Sequence, residues 1–248
     1  MYRPFQQKSV SYMRLAPYRR IFREGVPILT YHRIGKPSEI LPQVFERQMK
    51  EFYEEGFQTT KLEQWAEFKG PSNRRFVVTF DDGSLSVFQY AQGVLGRFGF
   101  SGIQFLVANF IGKKNEWATK GPEVGEPLMD KSEVRAWLAA GHAIGSHTLT
   151  HPNLARIDKK RAREEIFSSK KKLEDLFAIP IRHFCYPYGS WRQWVRDFVE
   201  EAGYETAVTT DPGICRNVTD AFALSRLDVG RRPRTLANFV SNFLPWTL

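Results

Sequence analysis

The chain reads as an α/β protein in which parallel strands and crossover helices close into a single-domain barrel. Three observations predict this. Short apolar runs alternate with longer amphipathic ones along most of the 248 residues, which is the pattern of repeated strand–helix units. Six or more such units fit a chain of a length that α/β barrels commonly fill as one domain. The polar residues that stand out also fall at the C-terminal ends of the apolar runs: His32 after VPILTY, Asp81 and Asp82 after RFVVTF, His147 after HAIGS and Tyr188 after FCYP. Barrels of parallel strands carry their chemistry at that end.

The elements follow from local pattern. VPILTYH (26–32) and RFVVTF (75–80) are apolar and β-branched, as buried strands are. Gly102 to Val107, HAIGSH (142–147), Ile181 to Tyr186 and Thr206 to Thr210 read as further strands, and Arg226 is placed on a last one. Phe45 to Gly56 reads as a helix closed by glycine, and Ser86 to Phe98 and Trp194 to Ala202 as helices between strands. Ser132 to Ala140 opens with Ser-Glu, which suggests a cap. Asp158 to Phe177 is strongly amphipathic, and its Lys/Arg-rich side reads as a solvated face. Leu236 to Phe243 is the last expected helix. Residues 112–129 form a long Gly/Pro/polar loop, which in a compact domain is more often functional than idle.

Composition bounds the function without naming it. The net charge of +9 favours anionic surroundings, but no nucleic-acid motif accompanies it, so a nucleic-acid partner is not expected. Cys185 and Cys215 are too few for a disulfide framework and read as free thiols. No apolar run reaches the ~18–20 residues that span a bilayer. Residues 1–25 mix Arg with Tyr, Phe, Met and Leu and lack the apolar stretch of a secretory signal. The expectation is a cytoplasmic protein with a basic, aromatic N-terminal segment (1–25), which can rest on the inner, anionic face of a membrane, followed by a catalytic domain (26–248).

Two motifs carry chemistry. T-F-D-D-G (79–83) sets two carboxylates side by side at a strand end. Like charges repel, so one must be neutralised by a metal, a proton or a cation. A metal ligand and a general base divide that labour naturally, although a helix cap before a turn glycine gives the same letters. H-T-L-T-H (147–151) spaces two imidazoles four residues apart, as on one face of a helical turn. With Asp82 they make a set of two histidines and one carboxylate, which leaves an open position on a catalytic metal.

T-F-D-D-G, H-T-L-T-H-P and Y-P-Y-G, in that order, resemble the NodB-homology polysaccharide deacetylases, carbohydrate esterase family four. The likeness extends over roughly residues 26–230. It implies a distorted (β/α) barrel and metal-dependent de-N- or de-O-acetylation, with an N-acetylated carbohydrate as the expected substrate. It also implies Asp81 as catalytic base, and Asp82, His147 and His151 as ligands of a divalent metal, zinc foremost, with cobalt, nickel or manganese as alternatives. Pro187 and Tyr188 would shape the groove, with the Tyr188 N–H facing the oxyanion. The chain departs from the pattern in three places, one of them the absent acidic-tryptophan motif, near which only Thr209-Thr210-Asp211 stands. Cys185 stands where the family has an arginine that holds the base, and Leu224-Ser225-Arg226 stands where it ends in Leu-x-His. Arg226 is expected to replace the arginine, and His32 to supply the acid. His142 and His183 are read as structural. A de-O-acetylase, a deformylase of a lipid-linked sugar, and a carbohydrate-binding barrel without activity are the competing readings.

Overall fold

In the computed structural model the described residues are 25–229, apart from 36–39, 68–73, 122 and 217–218. The basic start and the expected helix at 236–243 lie outside them. Among these residues, eight strands alternate with helices: β1 (Ile28–Tyr31), α1 (Pro42–Glu54), β2 (Gln58–Thr59), β3 (Arg75–Phe80), α2 (Leu85–Arg97), β4 (Ile103–Leu106), α3 (Lys131–Ala139), β5 (Ala143–Ser146), α4 (Lys159–Phe177), β6 (His183–Cys185), α5 (Gln193–Glu201), β7 (Thr206–Pro212) and β8 (Leu224–Asp228). All strand pairings are parallel. The order runs β1-β8-β7-β6-β5-β4-β3, and β1 pairs again with β3, so seven strands close a ring. The two-residue β2 lies outside it, on the start of β3.

Alternation along the strands sorts side chains into two cores. Ile28, Val77, Ile103, Phe105, Cys185, Val208 and Leu224 form one buried cluster inside the ring, closed by Leu62 and Trp65 from the segment after β2. The ring is tight. A Cβ on Gly145 would stand 2.5 Å from the Phe105 ring, so the β5 position facing that ring has room only for glycine. Leu29, Tyr31, Phe76, Val78, Phe80 and Phe184 face outward and pack under the helices. Helix α4 contributes Ala162, Ile166, Ser169, Leu173 and Phe177, which lie three to four residues apart along one stripe.

Most elements match the sequence expectation to within one or two residues at each end. The cap of α3 does not. Asp130, two residues before the expected Ser132, accepts from Ser132 N and Glu133 N, and the Glu133 side chain returns to Asp130 N, completing a capping box. Among the described residues no helix is long and apolar enough to cross a membrane.

Candidate active site

The site lies at the C-terminal ends of the strands, where sharp backbone turns aim polar side chains at one another. Asp81 directly follows strand β3, and its N–H donates to the Tyr31 carbonyl at 2.9 Å, which extends the β1–β3 pairing by one rung. Asp82 and Gly83 then take positive φ, 73° and 80°. The left-handed conformation is costly for an aspartate, and the surroundings hold it. The Gln104 amide, oriented by its hydrogen-bonding neighbours, accepts from Gly83 N and Ser84 N at 3.0 Å each. Ser84 caps α2 by accepting from Ser86 N.

His147 and His151 do not share a helical turn, contrary to the expectation from their spacing. Strand β5 ends at Ser146, and the chain turns through Thr148 at φ 68° and His151 at φ 63°. This turn is fixed from beneath. The buried Glu165 of α4 accepts from Leu149 N and Thr150 N at 2.9 Å each and also from the Thr150 hydroxyl. Ala108 N and Asn109 N donate to the carbonyls of Thr148 and Leu149 at 3.0 Å. An irregular loop thereby sets the two rings 4.7 Å apart, centroid to centroid.

The three expected ligand atoms converge. His147 Nε2 and His151 Nε2 lie 3.6 and 3.4 Å from the same oxygen, Asp82 Oδ1. Donors ~2.0–2.1 Å from a tetrahedral zinc would stand about 3.3 Å apart, so the set fits a divalent metal of that kind. His147 Nδ1 meets the Cys185 carbonyl oxygen at 2.8 Å, which turns Nε2 inward. Burial pushes the His147 imidazole down to about 4, leaving it neutral at pH 7 as a ligand must be. A second group, Asp81, His147 and Cys185, also lies close together. It suits a metal less well. Arg226 already fills the Asp81 carboxylate, and burial pushes the Cys185 thiol well above its ordinary value.

The Asp81–Arg226 pair is buried at 2% and 1% exposure. Arg226 Nη1 and Nη2 donate to Asp81 Oδ1 and Oδ2 at 2.8 and 2.7 Å, the two-pronged geometry of a guanidinium on a carboxylate. Its remaining donors reach the Thr209 carbonyl at 2.7 Å, the Thr79 hydroxyl at 3.1 Å and Cys185 Sγ at 3.3 Å. Burial alone would raise the Asp81 carboxyl, but the charge and hydrogen bonds of Arg226 outweigh it and hold Asp81 well below the carboxylate range. The structure therefore brings Arg226 to Asp81 from the last strand. The small Cys185 side chain lies against the guanidinium, at the position where the family pattern has its own arginine. His32 Nε2 stands 3.9 Å from Asp81 Oδ2, with 38% of its side chain exposed.

Pro187 is buried, and Tyr188, at φ 60°, is 58% exposed on the rim. A Cβ on Gly189, the next residue, would overlap Thr210 Oγ1 at 1.8 Å, so this turn requires glycine. The Tyr188 ring meets His151 edge-on at 4.7 Å. Trp117 stacks on the same imidazole at 4.8 Å and 24°. Sequence reading marked the 112–129 loop but missed Trp117 and Glu165. A lone loop tryptophan and a helix-face glutamate carry no local signal.

A family model described as polysaccharide deacetylase matches residues 69–207. YxkH of Bacillus subtilis, a protein named for the same family, is 28% identical over 210 residues, which cover 82% of this chain and 71% of that one. The peptidoglycan-N-acetylglucosamine deacetylase of Bacillus cereus is 30% identical over 158 residues, 62% of this chain and 51% of that protein, so the likeness spans about half of its length. The structure of BC0361, a polysaccharide deacetylase from Bacillus cereus, superposes with a TM-score of 0.74 at 25% identity and covers 89% of this chain and 69% of that one. The family match contains Asp81, Asp82, His147, His151, Pro187 and Tyr188, while His32 and Arg226 fall outside it. With the closed parallel barrel and the convergent cluster at its mouth, this match identifies the chain as a member of the polysaccharide deacetylase family.

Proposed function

We propose that the chain is a divalent-metal-dependent hydrolase that removes the acetyl group from an N-acetylated amino sugar in a glycan or glycolipid precursor. The observation that carries this reading is the juxtaposition of two arrangements. Asp82, His147 and His151 turn three donors to one point, and Asp81 beside them is held ionised and immobile by Arg226. A metal bound by the three donors, zinc in the first instance, supplies a Lewis acid for the acyl carbonyl and brings the pKa of a water to around 7.

The chain's own groups do the rest. Asp81 accepts the proton of the attacking water. The Arg226 pair makes it a weak base, and the acidity of the water compensates. The Tyr188 N–H on the rim donates to the oxyanion as the carbonyl becomes tetrahedral. His32, on the open side of Asp81, protonates the departing amine. Pro187 and the Tyr188 ring shape the groove that receives the sugar.

The reading is tested by acetate release from a panel of N-acetylated oligosaccharides and lipid-linked sugars, with and without added zinc. Zinc-dependent acetate release is expected. Release of formate alone would replace the acetyl assignment, and release of acetate only from O-acetyl esters would replace the amide assignment. His32→Ala should lower turnover at unchanged metal content, and full turnover in that variant would place the acid elsewhere.

A further inference from the structure

The two histidines of the cluster are oriented by different means. His147 has a hydrogen bond on its outer nitrogen, from Nδ1 to the Cys185 carbonyl at 2.8 Å. His151 does not. Its Nδ1 is buried and meets no hydrogen-bonding partner among the described residues. Metal-binding histidines almost always engage the second ring nitrogen with a carbonyl, carboxylate or water, and that contact fixes the plane of the ring. What surrounds the His151 ring is aromatic. Trp117 stacks on one face, and the edge of Tyr188 closes on it at 71°. Trp117 is itself braced. Phe110 meets it edge-to-face at 5.2 Å. Two residues before it, the buried Asn115 accepts from Ala118 N through its side chain at 3.0 Å and donates its backbone N–H to the Glu126 carbonyl at 2.8 Å. Glu126 also accepts from Ser84 at the base of the Asp81–Asp82 turn, at 3.1 Å. A continuous set of contacts thus runs from that turn through the loop to the His151 ring.

We propose that Trp117 is a positioning residue of the metal centre. Its indole face holds the His151 imidazole with Nε2 toward Asp82, in place of the missing hydrogen bond, and so makes metal affinity depend on the seating of the segment that carries Asn115 and Trp117. This inference rests on the reading of Asp82, His147 and His151 as the ligand set. It differs from a role for Trp117 as a wall against the sugar, which would act on substrate affinity and leave the metal untouched.

The test uses the full chain and zinc itself. The zinc dissociation constant is measured by competition with a chromophoric chelator for the wild type, Trp117→Ala and Trp117→Phe, alongside the metal-free melting temperature. Trp117→Ala is expected to loosen zinc by about 10- to 100-fold, the usual effect of losing a contact that orients a ligand. Trp117→Phe keeps a stacking ring and should recover most of that loss. The metal-free melting temperature should stay close to wild type in both. Wild-type zinc affinity in Trp117→Ala, with or without a raised KM, overturns the inference but leaves the ligand set standing. A loss as large in Trp117→Phe, or a fall in the metal-free melting temperature that parallels the loss of affinity, also overturns it in favour of general packing. A wild-type chain that binds no zinc overturns the ligand set and this inference together.

Discussion

Each end of the barrel brings a histidine to a carboxylate, and the two ends treat the pair differently. At the N-terminal end His183, the first residue of β6, has both ring nitrogens occupied: Nδ1 meets Thr206 Oγ1 at 2.9 Å and Nε2 meets Glu63 at 3.2 Å. His142 is likewise settled there, tilted against the Trp137 ring at 4.0 Å and accepting from Gly102 N. At the mouth, His147 and His151 keep Nε2 short of any good hydrogen bond, 3.4–3.6 Å from one shared oxygen. The backbone there is twisted into left-handed turns at Asp82, Thr148 and His151. Strain of that kind persists only where the surroundings over-determine it, and it gathers at functional sites. Saturated partners and relaxed backbone mark a histidine that holds the fold together. Converging, unsaturated nitrogens on strained loops mark one that waits for a ligand.

The contrast can be broken at several points. Asp82→Ala or His147→Ala should abolish stoichiometric zinc binding, read by metal analysis after dialysis, and turnover should vanish with it. Asp81→Asn should keep the metal and lower kcat by about a hundred- to ten-thousand-fold, the range expected for a general base. Arg226→Met leaves a buried carboxylate without its counter-charge, which costs about 3–5 kcal/mol in urea unfolding at neutral pH. A smaller loss would mean that water reaches Asp81. Glu165→Gln should weaken zinc binding by about tenfold or more, because the carboxylate that shapes the loop between the two ligands loses its charge.

The smallest effect belongs to the other end. Hydrogen bonding to His183 brings Glu63 from 4.5 down to about 2. A carboxylate depressed in the folded state adds stability that is complete above its unfolded pKa and is lost as pH falls toward the folded one. Glu63→Gln should therefore flatten the decline in stability between roughly pH 4.5 and 2 while leaving zinc affinity unchanged. A change in zinc affinity in that variant would dissolve the distinction between the two ends.

Sequence pattern revealed the barrel because buried strands and amphipathic helices write their own periods, and it missed β2 because two residues have no period. The cluster was legible because Asp81, Asp82, His147 and His151 sit in short motifs at strand ends. Their means of support was not. The helical turn inferred for H-T-L-T-H rests on spacing alone, whereas Glu165, fifteen residues beyond Thr150, decides the loop. Trp117 and Asn115 lie in a stretch with no periodicity at all. Arg226 was within reach only because a missing arginine at 185 called for a replacement.

That replacement has a consequence for the history of the chain. Asp81 and its guanidinium are 145 residues apart, and β8, which carries Arg226, is the strand that closes the ring against β1. While the chain is being made, the aspartate has no counter-charge until nearly all of the barrel has emerged. A barrel clipped before β8 would hold the same buried carboxylate with nothing to answer its charge, so the last rung of the ring and the last contact of Asp81 form together.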